Sequence, residues 1–79
     1  MLTRLLTIVA DVFEIFGQTK LAERCWHKIA NVRPDPENLT TAGFVCFKNG
    51  NSKNAEYFFL EALDKCPSYY QALFNLGFL

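Results

Sequence analysis

The chain repeats one pattern of residues with a spacing of 33 positions, and this repeat constrains the fold more than any other feature. The segment AERCWHKIANVRP begins at Ala22, and the segment AEYFFLEALDKCP, of the same length, begins at Ala55. Both segments begin with alanine and glutamate, carry an aromatic residue four positions after the alanine, and end at a proline. Self-similarity with a period of about 20 to 50 residues is typical of stacked repeat architectures. The chain is therefore expected to stack small units of similar structure.

Apolar and small residues recur at helical spacing within each unit, and this recurrence predicts two helices per unit. No alternating pattern predicts a strand. Small residues at regular places in these stripes are expected where two antiparallel helices approach closely, and large residues beside them fill the space between the helices. The residues predicted to pack the repeats together are Leu6, Ala10, Phe13, Ala22, Trp26, Leu39, Gly43, Ala55, Phe59, Ala62, Leu73, Leu76 and Gly77.

Glycine, proline and capping residues predict where these helices begin and end. Gly17 and Gly50 are expected to stop helices, because a residue after a helix often adopts a left-handed conformation that suits glycine. The residues expected to cap helix starts are Thr19, Asp35 before Pro36, Ser52, and Ser68 with Gln71. The five helices predicted in this way are Thr3–Phe16, Lys20–Val32, Pro36–Asn49, Lys53–Lys65 and Tyr69–Leu79.

These residues resemble the tetratricopeptide repeat, whose pattern is W-x2-L-G-x2-Y, then A-x3-F, then P. The segment LTTAGFVC from Leu39, the segment AEYFF from Ala55, and Pro67 match this pattern, with leucine in place of the tryptophan and cysteine in place of the tyrosine. The segment LTIVADVF from Leu6 and the AERCW segment match more loosely, and LFNLG from Leu73 matches well.

The resemblance implies an all-α fold, a right-handed solenoid of helical hairpins. It divides a single domain, 1–79, into repeat one at 3–35, repeat two at 36–69, and the first helix of a third repeat at 70–79. Proteins of this family usually bind an extended or helical peptide on the concave face, which the first helix of each hairpin lines. The resemblance therefore implies a scaffold or interaction module with a protein partner. The segment FKNGNSKNAEYFFLEAL is also similar to repeats of large ciliary transport scaffolds.

Side chains of the first helices that lie outside the packing stripe are the candidates for partner contact. The aromatic candidates are Phe44, Phe47, Phe74 and Phe78, and the polar candidates are Thr40, Lys48, Asp11 and Glu14. Phenylalanine at helical spacing also suits packing between repeats, so both interpretations of the aromatic residues remain open. The best-known peptide site of the family holds a C-terminal carboxylate with lysine, asparagine and arginine. Thr7, Asp11 and Thr41 stand in those places here, so that mode of binding is not expected.

Composition excludes several other classes of protein. The chain has eight basic and eight acidic residues, so no net positive charge attracts nucleic acid. At 51% hydrophobic residues it is too apolar for a disordered segment. Asp11 and Glu14 interrupt the apolar N-terminal segment, so neither a membrane-spanning helix nor a secretory signal is expected. The sequence thus predicts a cytoplasmic protein that does not insert into membranes.

Catalysis and cofactor binding are not expected. The sequence has one histidine and no glycine-rich phosphate loop, and the carboxylates of Asp11 and Glu14 are interpreted as solvated charge. Three cysteines without a C-x-x-C pair indicate small buried hydrophobic residues rather than a disulfide or metal framework. His27 and Cys25 lie two positions apart on a helix, so they point to different faces and cannot bind one ion together.

The sequence leaves two function classes open: an interaction module that binds a partner, and a segment that joins copies of itself or further repeats. The third unit reaches Leu79 without a second helix, which leaves its apolar residues without their usual cover. Burying such side chains is favourable, so we expect the helix Tyr69–Leu79 either to self-associate or to be covered by a neighbouring segment.

Overall fold

The computed structural model describes residues 4–9 and 19–79. Residues 4–9 are helical and are called α1. The helices that follow are α2 (Thr19–Val32), α3 (Pro36–Lys48), α4 (Ser52–Lys65) and α5 (Tyr70–Leu76). No strand occurs within the two described ranges, so the prediction of an all-α helical repeat fold with five helices is confirmed. None of the described helices is long and apolar enough to cross a membrane.

Helix α3 is central to the fold, because α2, α4 and α5 all pack against it. Helices α3 and α4 form a hairpin, and α4 also contacts α5. Twelve buried side chains join these helices in one core: Trp26, Ile29, Ala30, Leu39, Ala42, Val45, Cys46, Ala55, Phe58, Phe59, Ala62 and Ala72. Five partly buried side chains pack against this core: Leu6, Cys25, Leu63, Tyr69 and Leu76. Ala22 is also buried, whereas Ala10 and Phe13 lie outside the described residues.

The closest approach inside the hairpin is between Gly43 of α3 and Phe59 of α4. A Cβ atom on Gly43 would lie 2.6 Å from Cε1 of Phe59, closer than real contacts allow. The Phe59 side chain is fully buried and cannot move aside without disturbing the core. Glycine at this position therefore lets the phenylalanine ring lie directly on the backbone of α3.

The turn between α3 and α4 depends on Gly50. Among the described residues it is the only one with a positive φ, +81°. Its N–H donates to the Phe47 carbonyl at 3.0 Å, and the Asn51 N–H donates to the Cys46 carbonyl at 2.8 Å. These two bonds form a Schellman motif, in which a left-handed glycine closes a helix by satisfying its last carbonyl groups. The prediction that Gly50 stops this helix is confirmed, and Gly17 lies outside the described residues.

Two helix starts differ in detail from the predictions. The cap of α4 is Asn51, whose side chain accepts a hydrogen bond from the Asn54 N–H at 3.4 Å. The prediction that Ser52 is the cap is wrong, because the Schellman motif places Ser52 inside the first turn. Asp35 stands at the cap of α3 before Pro36, as predicted, but its side chain makes no capping hydrogen bond.

The start of α5 also differs. The predicted capping pair Ser68 and Gln71 is wrong, because the residue before the helix is Tyr69 and no side chain caps it. Ser68 lies in the preceding turn, where the Tyr69 N–H donates to the Cys66 carbonyl at 3.0 Å. Helix α2 begins at Thr19 itself, so the capping position before it lies outside the described residues.

Helix α5 ends at Leu76, three residues earlier than predicted. After it, the Phe78 N–H donates to the Asn75 carbonyl at 3.1 Å, and the Leu79 N–H donates to the Leu76 carbonyl at 3.0 Å. These bonds connect residues three apart, so the chain tightens into turns of the 3₁₀ type instead of continuing as an α-helix. The other helix ends agree with the predictions to within one residue wherever the structure describes them.

We expect Gly43→Ala to lower the free energy of unfolding by about 1–3 kcal/mol, the usual effect of overpacking a core. Helix propensity alone predicts the opposite effect, because alanine is a better helix former than glycine by about 1 kcal/mol. A loss of stability would therefore indicate the close contact with Phe59. Urea unfolding of Gly43→Ala, Phe59→Leu and the double variant measures the coupling between the two sites. In the Phe59→Leu background the alanine should cost little or stabilise the chain. An equal loss in both backgrounds would contradict the proposed contact.

Candidate functional site

A groove of about 540 Å³ lies between α3 and α5. Seven residues line it: Thr40, Thr41, Phe44, Tyr70, Gln71, Phe74 and Asn75. Phe44 is 44% exposed and Phe74 is 64% exposed, although both are large apolar side chains. The groove thus brings Phe44 of α3 together with Phe74 of α5, and both belong to the residues that the sequence suggested for partner contact.

The remaining aromatic candidates lie outside the lining of this groove. The rings of Phe74 and Phe78 meet edge to face with centroids 5.0 Å apart, so Phe78 extends the exposed aromatic surface beyond α5. Phe47 is partly exposed on α3, one turn after the groove residue Phe44. Lys48 places its Nζ 5.4 Å from the centroid of the Phe44 ring, a distance typical of a cation–π contact. We call Phe44, Phe74 and Phe78 the aromatic surface.

Two buried polar atoms have no hydrogen-bond partner among the described residues. One is the Oγ1 atom of Thr40, a residue only 6% exposed, in the lining of the groove. The other is the Nε1 atom of Trp26, a buried residue that lines a neighbouring hollow of about 610 Å³. A buried polar group left unpaired costs about 1–3 kcal/mol, so both atoms lower the stability of the free chain.

The groove and the neighbouring hollow share one residue, Thr41, and therefore run side by side. The hollow is lined by Arg4, Thr7, Trp26, Arg33, Asp35, Glu37, Asn38 and Thr41. It carries charges of both signs, in contrast to the aromatic groove. The hydroxyl of Thr41 donates to the Glu37 carbonyl at 2.9 Å, which holds this shared side chain in place. Together the two cavities form a surface that is polar at α1 and apolar at α5.

Several candidates from the sequence lie elsewhere. Asp11 and Glu14 fall outside the described residues. Leu73 is 51% exposed and Gly77 is exposed, although both were expected to pack between repeats. Leu76, in contrast, is partly buried against the core. The C-terminal segment therefore presents a second apolar area next to the aromatic surface.

Glu23 and His27 of α2 form a cluster with Cys46 of α3 that the sequence analysis did not identify. The Nε2 atom of His27 lies 3.6 Å from Sγ of Cys46 and 3.7 Å from Oε2 of Glu23. Burial and, to a smaller extent, the nearby Glu23 carboxylate raise the pKa of the Cys46 thiol from 9.0 to about 12. The spacing of four residues between Glu23 and His27 was the available signal, because it places both on one helix face.

The chain resembles part of a much longer curated protein. Over 54 residues, or 67% of the chain, it is 39% identical to "Cell division cycle protein 16 homolog" of Homo sapiens. The protein of the same name in Mus musculus matches with the same identity and coverage. The chain spans 9% of the length of each relative. No family model and no solved structure matches the chain.

The two interpretations of the aromatic residues, core packing and partner contact, predict different effects on stability. Phe74→Ala should change the free energy of unfolding by less than about 1 kcal/mol, because this side chain is mostly exposed. Phe59→Ala, its buried counterpart in α4, should cost about 3–5 kcal/mol. Chemical unfolding of both variants measures the difference. A loss at Phe74 as large as that at Phe59 would show that Phe74 is a core residue.

Proposed function

We propose that the chain is a repeat segment of a protein–protein interaction scaffold and binds a peptide or helix of a partner protein along the groove between α3 and α5. The observation that carries this proposal is the exposure of Phe44 and Phe74 on facing walls of one groove. Contiguous exposed apolar surface marks interaction sites on otherwise polar proteins. The division into repeats at 3–35, 36–69 and 70–79 is part of the same proposal.

The chemistry of the groove indicates what the partner presents. An apolar side chain fits between Phe44 and Phe74, where aromatic residues typically form the hot spots of an interface. A peptide backbone group beside it pairs with the more accessible amide side chains of the lining, Gln71 and Asn75. Apolar anchors combined with backbone hydrogen bonds are the usual means of peptide recognition.

The comparisons support a scaffold role in a larger protein rather than an independent activity. The two similar proteins are named for the cell division cycle, and the chain corresponds to a small part of each. A place in cell division machinery is therefore better supported than a place in ciliary transport, which neither name mentions. The groove offers hydroxyl, amide and aromatic groups, which suit binding rather than catalysis.

A peptide library tests this proposal. The affinities of peptides selected on the wild-type chain are then measured for Phe44→Glu and Phe74→Glu. Binding an apolar side chain beside the new carboxylate would remove water from the charge, which costs free energy. We expect each variant to weaken binding by more than about 1 kcal/mol, the scale of a hot-spot residue. Fluorescence anisotropy gives the affinity, and circular dichroism shows whether the helices persist.

Leu60→Glu is the matched control, because Leu60 is also half exposed but lies on α4, away from the groove. Peptides that bind the groove should bind this variant as tightly as the wild type. Equal losses for Leu60→Glu and the groove variants, or binding that survives both groove changes, would contradict the proposal.

A second candidate function is self-association through the C-terminal segment, favoured by the exposed apolar side chains of Leu73, Phe78 and Leu79. Within this hypothesis a second copy covers these side chains, since burying each is worth about 1.5–3 kcal/mol. The alternative cover is a further helix of a longer repeat array.

We expect Leu73→Lys combined with Phe78→Lys to shift a self-associated chain to monomer, as measured by sedimentation equilibrium. Both side chains are mostly exposed, so the monomer should keep its fold, whereas Leu76 packs on the core and is a poorer choice. A wild-type chain that stays monomeric at high concentration and unfolds cooperatively would contradict self-association.

A further inference from the structure

We infer that Glu23, His27 and Cys46 form a binding site for one Zn²⁺ ion that joins α2 to α3. The site is separate from the aromatic groove, and none of its three ligands lines that groove. It uses one carboxylate oxygen, one imidazole nitrogen and one cysteine sulfur.

The three ligand atoms already lie at distances that suit a shared ion. They are all within 4.8 Å of one another, and Nε2 of His27 is 3.6 Å from the Cys46 sulfur and 3.7 Å from the Glu23 oxygen. Zinc binds nitrogen and oxygen at about 2.0–2.2 Å and sulfur at about 2.3 Å, usually in tetrahedral geometry. Two such ligands are then separated by roughly 3.3–3.6 Å, close to the two distances from Nε2 of His27, and a bound ion would draw the Cys46 sulfur and the Glu23 oxygen to the same separation.

Through Nε2 alone, a neutral His27 cannot accept a hydrogen bond from Cys46 and donate one to Glu23 at the same time. The Nε2 atom of His27 faces both Cys46 and Glu23, but in a neutral ring it is either a donor or an acceptor. If it accepts a hydrogen from the thiol, it has no hydrogen to donate to the carboxylate. If it donates to the carboxylate, it has no lone pair with which to accept from the thiol. A single cation at the centre attracts lone pairs from all three atoms at once, and the Cys46 thiol releases its proton to solvent when the sulfur binds as thiolate.

Neighbouring groups orient two of the ligands. The side-chain amides of Asn49 and Asn51 donate to the two oxygens of Glu23, each at 3.1 Å. The ring of His27 packs edge to face on Phe58 with centroids 4.8 Å apart. Outer groups that hold ligands in this way are typical of metal sites, and their loss typically lowers metal affinity 10–100-fold.

The cluster is open to solvent on one side, which leaves room for a fourth ligand. Cys46 is fully buried and Glu23 is mostly buried, whereas the side chain of His27 is 36% exposed. Solvent can therefore approach from the histidine side and complete the coordination. A mixed set of sulfur, nitrogen and oxygen ligands favours zinc over magnesium or calcium, which prefer oxygen ligands alone.

Binding should stabilise the packing of α2 on α3, because the ligands come from both helices. The test uses the whole chain in its reduced form and Co²⁺ as a spectroscopic substitute for Zn²⁺. We expect one Co²⁺ per chain, a thiolate-to-cobalt charge-transfer band, visible bands of tetrahedral cobalt, and loss of these bands when Zn²⁺ is added. We also expect Zn²⁺ to raise the melting temperature.

Variants identify the ligands. His27→Ala should weaken Zn²⁺ binding at least tenfold. Because the His27 side chain is 36% exposed, its removal should leave the chain folded, so unfolding would not explain the weaker binding. Cys46→Ala should remove the charge-transfer band, whereas Cys25→Ala and Cys66→Ala, which remove thiols outside the cluster, should keep it. The proposal is overturned by a wild-type chain without the band, by a band that survives Cys46→Ala, or by equal Zn²⁺ affinity of His27→Ala and wild type.

Discussion

The contact between Gly43 and Phe59 is the interaction on which the rest of this structure depends. Since no Cβ separates them, the Phe59 ring lies on the backbone of α3 and brings α4 close to it. Successive residues of a helix are rotated by about 100°, so the residue after Gly43 points to the side of the face that contacts α4. That residue is Phe44, and its ring lies toward α5 and forms one wall of the groove. A packing requirement on one face of α3 thus fixes where the aromatic surface lies.

The central position of α3 explains how one helix serves both the core and the binding surface. Leu39, Ala42, Val45 and Cys46 are buried against its neighbours, and only the remaining face of the helix is left for a partner. Helix α5 borders this face but is only seven residues long, so it covers the face incompletely. The groove is the space that this short helix leaves open.

Sequence patterns predicted those parts of the fold that depend on local order along the chain. The helical spacing of apolar residues and the glycine at position 50 act within one hairpin, and the period of 33 residues shows that the hairpin recurs, so each can be recognised in the sequence. The burial of Thr40 and the meeting of His27 with Cys46 depend instead on how neighbouring helices are rotated against each other. Such rotations follow from packing between residues far apart in sequence, so a single sequence does not reveal them. The cap of α4 was predicted one residue too late, at Ser52 instead of Asn51, because the exact length of the preceding turn decides which side chain stands at the cap position.

The turn between α3 and α4 has a consequence for the shape of any longer array. Asn49 and Asn51 belong to this turn, yet their amides hold the carboxylate of Glu23 on α2. A turn that would otherwise only connect two helices therefore also sets the angle at which the preceding helix lies. In a solenoid, small rotations between neighbouring units add up to its curvature and twist. Asn51 also caps α4, so this one side chain couples the start of α4 to the position of α2.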